Sequence, residues 1–223
     1  MTNSIPFLRT TIGKKMLVGL SGLGFAFFLL THMAGNLLLL VGPEAYNEYS
    51  YKLTSTKLIY LAEAGLVLMF ALHVFLTIQL TAANRAARKT PYERGAGGPK
   101  RTSFVAKTLI LSGLVLLVFT ILHLITFKYG TVYTVTYGTT EMRDLYTLVV
   151  EKFREPGYVA WYVFAMLILG AHLSHGVSAS LQSLGLTTVR NCTAKKIGWA
   201  FAALVTIGFI IQPLYLFFSG GAS

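Results

Sequence analysis

The residues best able to do chemistry in this chain are its five histidines: His32, His73, His123, His172 and His175. Each lies in a long apolar run, and the stretch LGAHLSHGVSASLQSLG (169–185) carries two of them. An imidazole taken out of water loses hydration unless its ring nitrogens are satisfied. A hydrogen bond to a neighbouring helix is enough for one isolated histidine. Here the first four apolar runs each carry at least one, and the fifth carries none. That distribution points to a shared ligand.

The elements that must position these residues are legible in the hydropathy. Of 223 residues, 54% are hydrophobic and only 12% charged, too apolar for an ordinary soluble domain. Five blocks, roughly 16–41, 58–82, 104–127, 158–184 and 197–218, are long enough to cross a bilayer. They predict an all-α integral membrane bundle of five transmembrane helices, with 1–223 as a single transmembrane domain. No internal repeat is evident. The first block is a long apolar run without a clear A-x-A site, so it reads as a retained span rather than a signal peptide. A lone Cys192 rules out an internal disulfide framework or a thiolate cluster within the chain.

The net charge of +11 is distributed by side. The N-terminus, the 83–103 loop, the 185–196 loop and the adjoining helix ends carry 13 basic residues against one acid, Glu93. The opposite side has six basic residues against seven acids. The positive-inside rule therefore puts the N-terminus in the cytoplasm and the C-terminus outside. This pattern argues against nucleic acid as the partner. An acidic protein or anionic lipid is the secondary reading of the basic face.

Depth sorts the histidines. His32 lies 10 residues before Gly42 and His123 lies 7 before Gly130, which sets an outer level. His73 lies 16 after Lys57 and His172 lies 17 after Glu155, which sets an inner level. At about 1.5 Å per residue the levels are roughly 10–15 Å apart. Two histidines at each level suggest two bis-histidine metal sites. Zinc or copper would usually recruit three or four converging protein ligands. Haem iron takes four ligands from its porphyrin and needs only two more. Gly19, Gly22, Gly24, Ala34 and Gly35 in the first span, with Ala171, Gly176, Ala179 and Gly185 around the fourth, would leave room for a flat macrocycle or for close helix packing. His172 and His175 share a helix face, and depth favours neither as the ligand.

Four stretches carry a resemblance: THMAGNLLLLVGPEAYNEY (31–49), AEAGLVLMFALHVFLTIQLTAANRAAR (62–88), LHLITF (122–127) and AHLSHGVSASLQSLG (171–185). Over almost its whole length the chain resembles the five-helix, di-haem cytochrome b membrane-anchor subunits of bacterial succinate dehydrogenase and fumarate reductase. The family places the fourth-span ligand 13 residues before a helix-ending glycine, which here selects His172 before Gly185. It pairs the first helix with the third and the second with the fourth. The resemblance thus implies two haem b groups, an outer one on His32 and His123 and an inner one on His73 and His172. His175 remains a polar neighbour that could serve a propionate, a proton path or a helix contact.

The resemblance further implies respiratory complex II in a bacterial cytoplasmic (inner) membrane, linked to the tricarboxylic acid cycle. A flavoprotein subunit and an iron–sulfur subunit would dock on the cytoplasmic face, where Arg85, Arg88, Lys89, Arg94, Lys100 and Arg101 gather. Electrons would pass between the iron–sulfur subunit and a membrane quinone, by family expectation menaquinone. This chain would carry haem and quinone but not the dicarboxylate site.

Quinone chemistry moves protons, and Glu63 is the first candidate because a carboxylate inside a membrane helix is costly. Lys57 is its nearest sequence-level partner, six residues away. Glu48 and Asn47, in GPEAYNEYSYK (42–52), are weaker quinone or proton-path candidates, and His175 joins them. The outer segment 128–157 is expected to cover the outer haem. Two rival readings remain. One is a di-haem cytochrome b of another quinone-linked oxidoreductase, although those commonly pair histidines on fewer helices. The other is a haem-free proton-coupled transporter, although inverted repeats or broken helices are not evident.

Overall fold

The computed structural model of the chain describes residues 7, 10–87, 104–188 and 192–220. Among them are seven helices and one short hairpin. Five helices are long and apolar enough to cross a membrane, so the chain is an all-α, five-helix membrane bundle. They are α1 (Thr11–Asn36), α3 (Leu58–Ala86), α4 (Phe104–His123), α6 (Pro156–Ser183) and α7 (Cys192–Ser219). A 3-10 turn, Leu37–Leu40, prolongs α1. A π turn, Leu124–Lys128, prolongs α4 just past His123. The short helices are α2 (Pro43–Thr54) and α5 (Leu145–Phe153).

The ends of the spans follow from local chemistry. The first begins five residues before the hydropathy block because Thr10 caps it, accepting from Gly13 N at 3.1 Å. Lys14 sits in its first turn and reaches Gln79 Oε1 on α3 at 2.8 Å, so its apolar stem stays against the bundle. At the far end of α6, Gly185 adopts φ +75°. Its N–H donates to Gln182 O at 3.0 Å, and Leu186 N donates to Leu181 O at 3.0 Å. Those two bonds close a Schellman stop, where a residue with a Cβ would be strained.

The helix packing places the histidines. α1 packs against α3 and α6, and α6 packs against α4; α3 and α4 meet only thinly. These four helices form the corners of a bundle in which α1 faces α4 across one diagonal and α3 faces α6 across the other. α7 flanks the bundle on α6 and α1. The α6–α7 seam is tight because small residues line it: Ala165 and Ala202 are buried, and a Cβ on Gly198 would meet Ser174 O at 3.0 Å. By contrast Leu58, Leu61, Val67, Leu68 and Phe75 on α3 are exposed, as suits a face turned to lipid.

The connections at one end of the bundle are not loops. They fold into a cap made of α2, α5 and a hairpin of β1 (Thr134–Tyr137) and β2 (Thr140–Arg143), antiparallel with Thr134 opposite Arg143. Leu39, Tyr46, Tyr146, Val149, Phe153, Tyr162 and Leu216 form the core beneath it. Asn47 on α2 fastens the cap. It is fully buried, donates to Asp144 Oδ1 at 2.8 Å and accepts from Tyr146 N at 2.9 Å. Asp144 in turn caps α5, accepting from Thr147 N at 3.1 Å and from Thr147 Oγ1 at 2.6 Å. Partial burial pushes the Asp144 carboxyl upward, but the bonds from Thr147 and Asn47 outweigh it and hold the group below its usual range. Burial pushes the Tyr46 phenol up, reinforced by Tyr49 and opposed by Arg143.

Candidate functional site

The four helices of the diagonal bundle each contribute one histidine to a facing pair. His32, near the end of α1, and His123, the last residue of α4, meet beneath the cap. Their ring centres are 5.9 Å apart and their planes stand at 89°. A metal bound by two imidazole nitrogens at about 2 Å each sets ring centres roughly 6 Å apart, so the spacing suits a shared ion. Phe28 stacks on His32 at 5.3 Å and Phe119 on His123 at 5.8 Å, making the surroundings apolar and aromatic. The buried Nε1 of Trp161, whose ring lies 6.4 Å from Phe119, has no hydrogen-bond partner among the described residues.

The π turn shapes this end of α4. Tyr129 N donates to Leu124 O at 3.0 Å, five residues back, which widens the last turn directly after His123. Gly130 closes it, with its Cα set against the Thr126 carbonyl so closely that no Cβ fits. Tyr158 OH donates to Thr126 Oγ1 at 2.7 Å and ties the turn to α6. Tyr162, one turn on, lies with its hydroxyl 3.0 Å from His123 Nδ1. On the other side, Asn36 donates to the His32 carbonyl at 2.8 Å and is itself held by Tyr46 OH at 3.0 Å.

His73 on α3 and His172 on α6 are the second pair, on helices that lie across the other diagonal of the bundle. Each is held by a serine on a neighbouring helix. Ser21 Oγ of α1 lies 2.9 Å from His73 Nδ1, and Ser112 Oγ of α4 lies 3.0 Å from His172 Nδ1. Each ring also passes over a glycine: a Cβ on Gly22 would lie 3.7 Å from His73 Cε1, and one on Gly113 would lie 3.8 Å from His172 Cε1. Sequence reasoning missed Ser21, Ser112, Gly113 and Tyr162, because nothing in their local sequence marks them.

The glycines singled out from sequence divide into two groups. Gly19 and Gly22 let Ser180 approach, Gly24 lies under Met69, and Gly35 lies under the Tyr49 ring, so these four serve close packing. Gly176, one turn beyond His172 and on its face, has nothing within 4 Å of a Cβ placed there. Open space beside the ligand face is what a flat macrocycle requires. Among the described residues no three His, Cys, Asp or Glu side chains gather to hold a bare ion. Two-histidine donor sets fit a porphyrin iron, which brings its own four ligands.

The remaining candidates are placed as follows. His175 lies one turn from His172 and within electrostatic range of Lys195 on α7. Glu63 sits in the second turn of α3, and its partner is Lys128 at the end of the π turn rather than Lys57. Both side chains are about one-third exposed, at 36% and 35%. Glu48 pairs with Lys52 at 2.8 Å on the surface of α2. Asn47 has its amide committed to the cap. Arg85 lies at the end of α3; Arg88, Lys89, Arg94, Lys100, Arg101 and Arg190 lie outside the described residues. Comparison with family models, curated proteins and solved structures returned no match.

Proposed function

We propose that this chain is the di-haem cytochrome b anchor of a bacterial succinate:quinone oxidoreductase, carrying electrons between an iron–sulfur subunit and a membrane quinone. One observation carries the reading: four helices of one bundle each present a histidine, with His32 and His123 in ring contact and His73 and His172 each held by a serine of an adjacent helix. Haem bound at such a pair supplies reversible one-electron chemistry. His73 and His172 would hold the inner group, and His32 and His123 the outer one. Phe28 and Phe119 stack on the two rings of the outer pair and help hold them in place.

The sequence of stations follows the length of the bundle. The basic end, by charge the cytoplasmic one, receives the flavoprotein and iron–sulfur subunits. The capped end, beside Glu63 and Lys128, is where quinone, by family expectation menaquinone, would exchange electrons and protons. Glu63 is suited to taking or giving a proton there, because Lys128 holds its carboxylate in place while water still reaches it. Asn47 is the least suited of the polar candidates, since its amide is already bonded.

The test is to purify the complex through a tag on this chain and add succinate. A flavoprotein and an iron–sulfur protein copurifying, with succinate reducing a b-type spectrum, is the expected result. A different set of partners, or a spectrum that succinate leaves unchanged in an intact complex, would overturn the assignment.

A further inference from the structure

The two serines beside the inner pair make the same two contacts, and His73 has the Val18 carbonyl as a further neighbour. Ser21 Oγ lies 3.0 Å from Val18 O, and Ser112 Oγ lies 2.9 Å from Leu109 O, each three residues back along its own helix. A serine hydroxyl has one proton, and a carbonyl can only accept. If the serine proton goes to the carbonyl, the hydroxyl oxygen is left to accept from the histidine. Both contacts are then hydrogen bonds. If the serine instead donates to Nδ1, the contact with its carbonyl oxygen has no proton in it, and the opposite ring nitrogen must carry one. The arrangement with two bonds per site is the better satisfied.

From this we infer that Ser21 and Ser112 are paired positioning residues, which fix His73 and His172 as the Nδ1–H tautomer and leave both Nε2 lone pairs free to bind one metal. The inference rests on the haem reading for its consequence but not for its geometry. Each serine reaches its histidine from an adjacent corner of the bundle: α1 serves α3, and α4 serves α6. The two halves of the site are therefore set by the same rule. The Nδ1–H bond also gives each ring some imidazolate character, which raises its basicity and favours ferric over ferrous iron.

The experiment compares the wild type with Ser21→Ala, Ser112→Ala and the corresponding Ser→Thr variants. In redox titrations each alanine variant is expected to raise the midpoint of the inner haem and leave the outer one in place. A tenfold loss of ferric preference corresponds to about 59 mV for one electron. Threonine, which keeps the hydroxyl, is expected to restore the wild-type midpoint. Unchanged midpoints in both alanine variants, or equal shifts of both haems, would overturn the inference. Nitrogen-15 spectra of histidine-labelled protein give an independent readout that does not need haem. They should show His73 and His172 protonated at Nδ1 in the wild type, and that tautomer should weaken in the alanine variants. A wild-type chain that holds no haem would defeat the proposed function, while the tautomer result would still decide the role of the serines.

Discussion

At the scale of single residues, His172 and His175 show how position divides two like side chains. Both lie on α6, one turn apart, but His172 is anchored through Nδ1 to Ser112, while His175 lies toward Lys195. His172→Ala is expected to lose the inner haem and His175→Ala to retain both, as read by haem content per chain. Glu63→Gln should keep both haems and slow quinone-linked turnover at least about tenfold, in line with losing a proton-transfer group. Retained turnover would move proton exchange elsewhere. The histidines stood out in sequence because imidazole is rare and costly in an apolar run. Their partners did not. Ser21 and His73 are 52 residues apart, Ser112 and His172 are 60, and Glu63 and Lys128 are 65. Serine is ordinary in a membrane helix, and only packing reveals which one faces an imidazole.

At the scale of elements, the spans were readable because a bilayer demands about 20 apolar residues in succession. The cap was not. Residues 42–57 and 128–157 hold no run long and apolar enough to span a bilayer, and Asn47 joins α2 to the start of α5 across about a hundred residues of chain. Asn47→Ala would leave Tyr146 N and Asp144 short of partners in a buried site and is expected to cost about 1–3 kcal/mol. Thermal unfolding in detergent, followed by the outer haem band, checks this. Asp144 adds a pH signature. Its carboxyl is held below the usual value, so the folded state gains stability from its ionised form. That stability is fully present above the unfolded-state value of about 3.9 and is lost as pH falls through the lower folded-state value. The melting temperature should therefore drop on acidification, and Asp144→Asn should flatten that part of the profile.

At the scale of the whole molecule, charge and fold make one topological statement. In the sequence, the segments on the capped side of the spans carry a six-to-seven balance of basic and acidic residues, and those on the other side a 13-to-one excess. In a Cys192→Ser background, a cysteine placed at Ser55 in the cap should react with a membrane-impermeant thiol reagent on intact cells. One placed at Ala87 at the other end should not. The reverse labelling would invert the bundle and with it the side on which partners dock. Everything proposed for this chain turns on four histidines on four helices holding two haems. The most direct measurement is the reduced-minus-oxidised spectrum of the purified protein, with haem counted per chain, for the wild type and for His32→Ala and His73→Ala. Two b-type haems are expected in the wild type and one, of different potential, in each variant. A folded wild-type chain without haem, made under adequate haem supply, would contradict it.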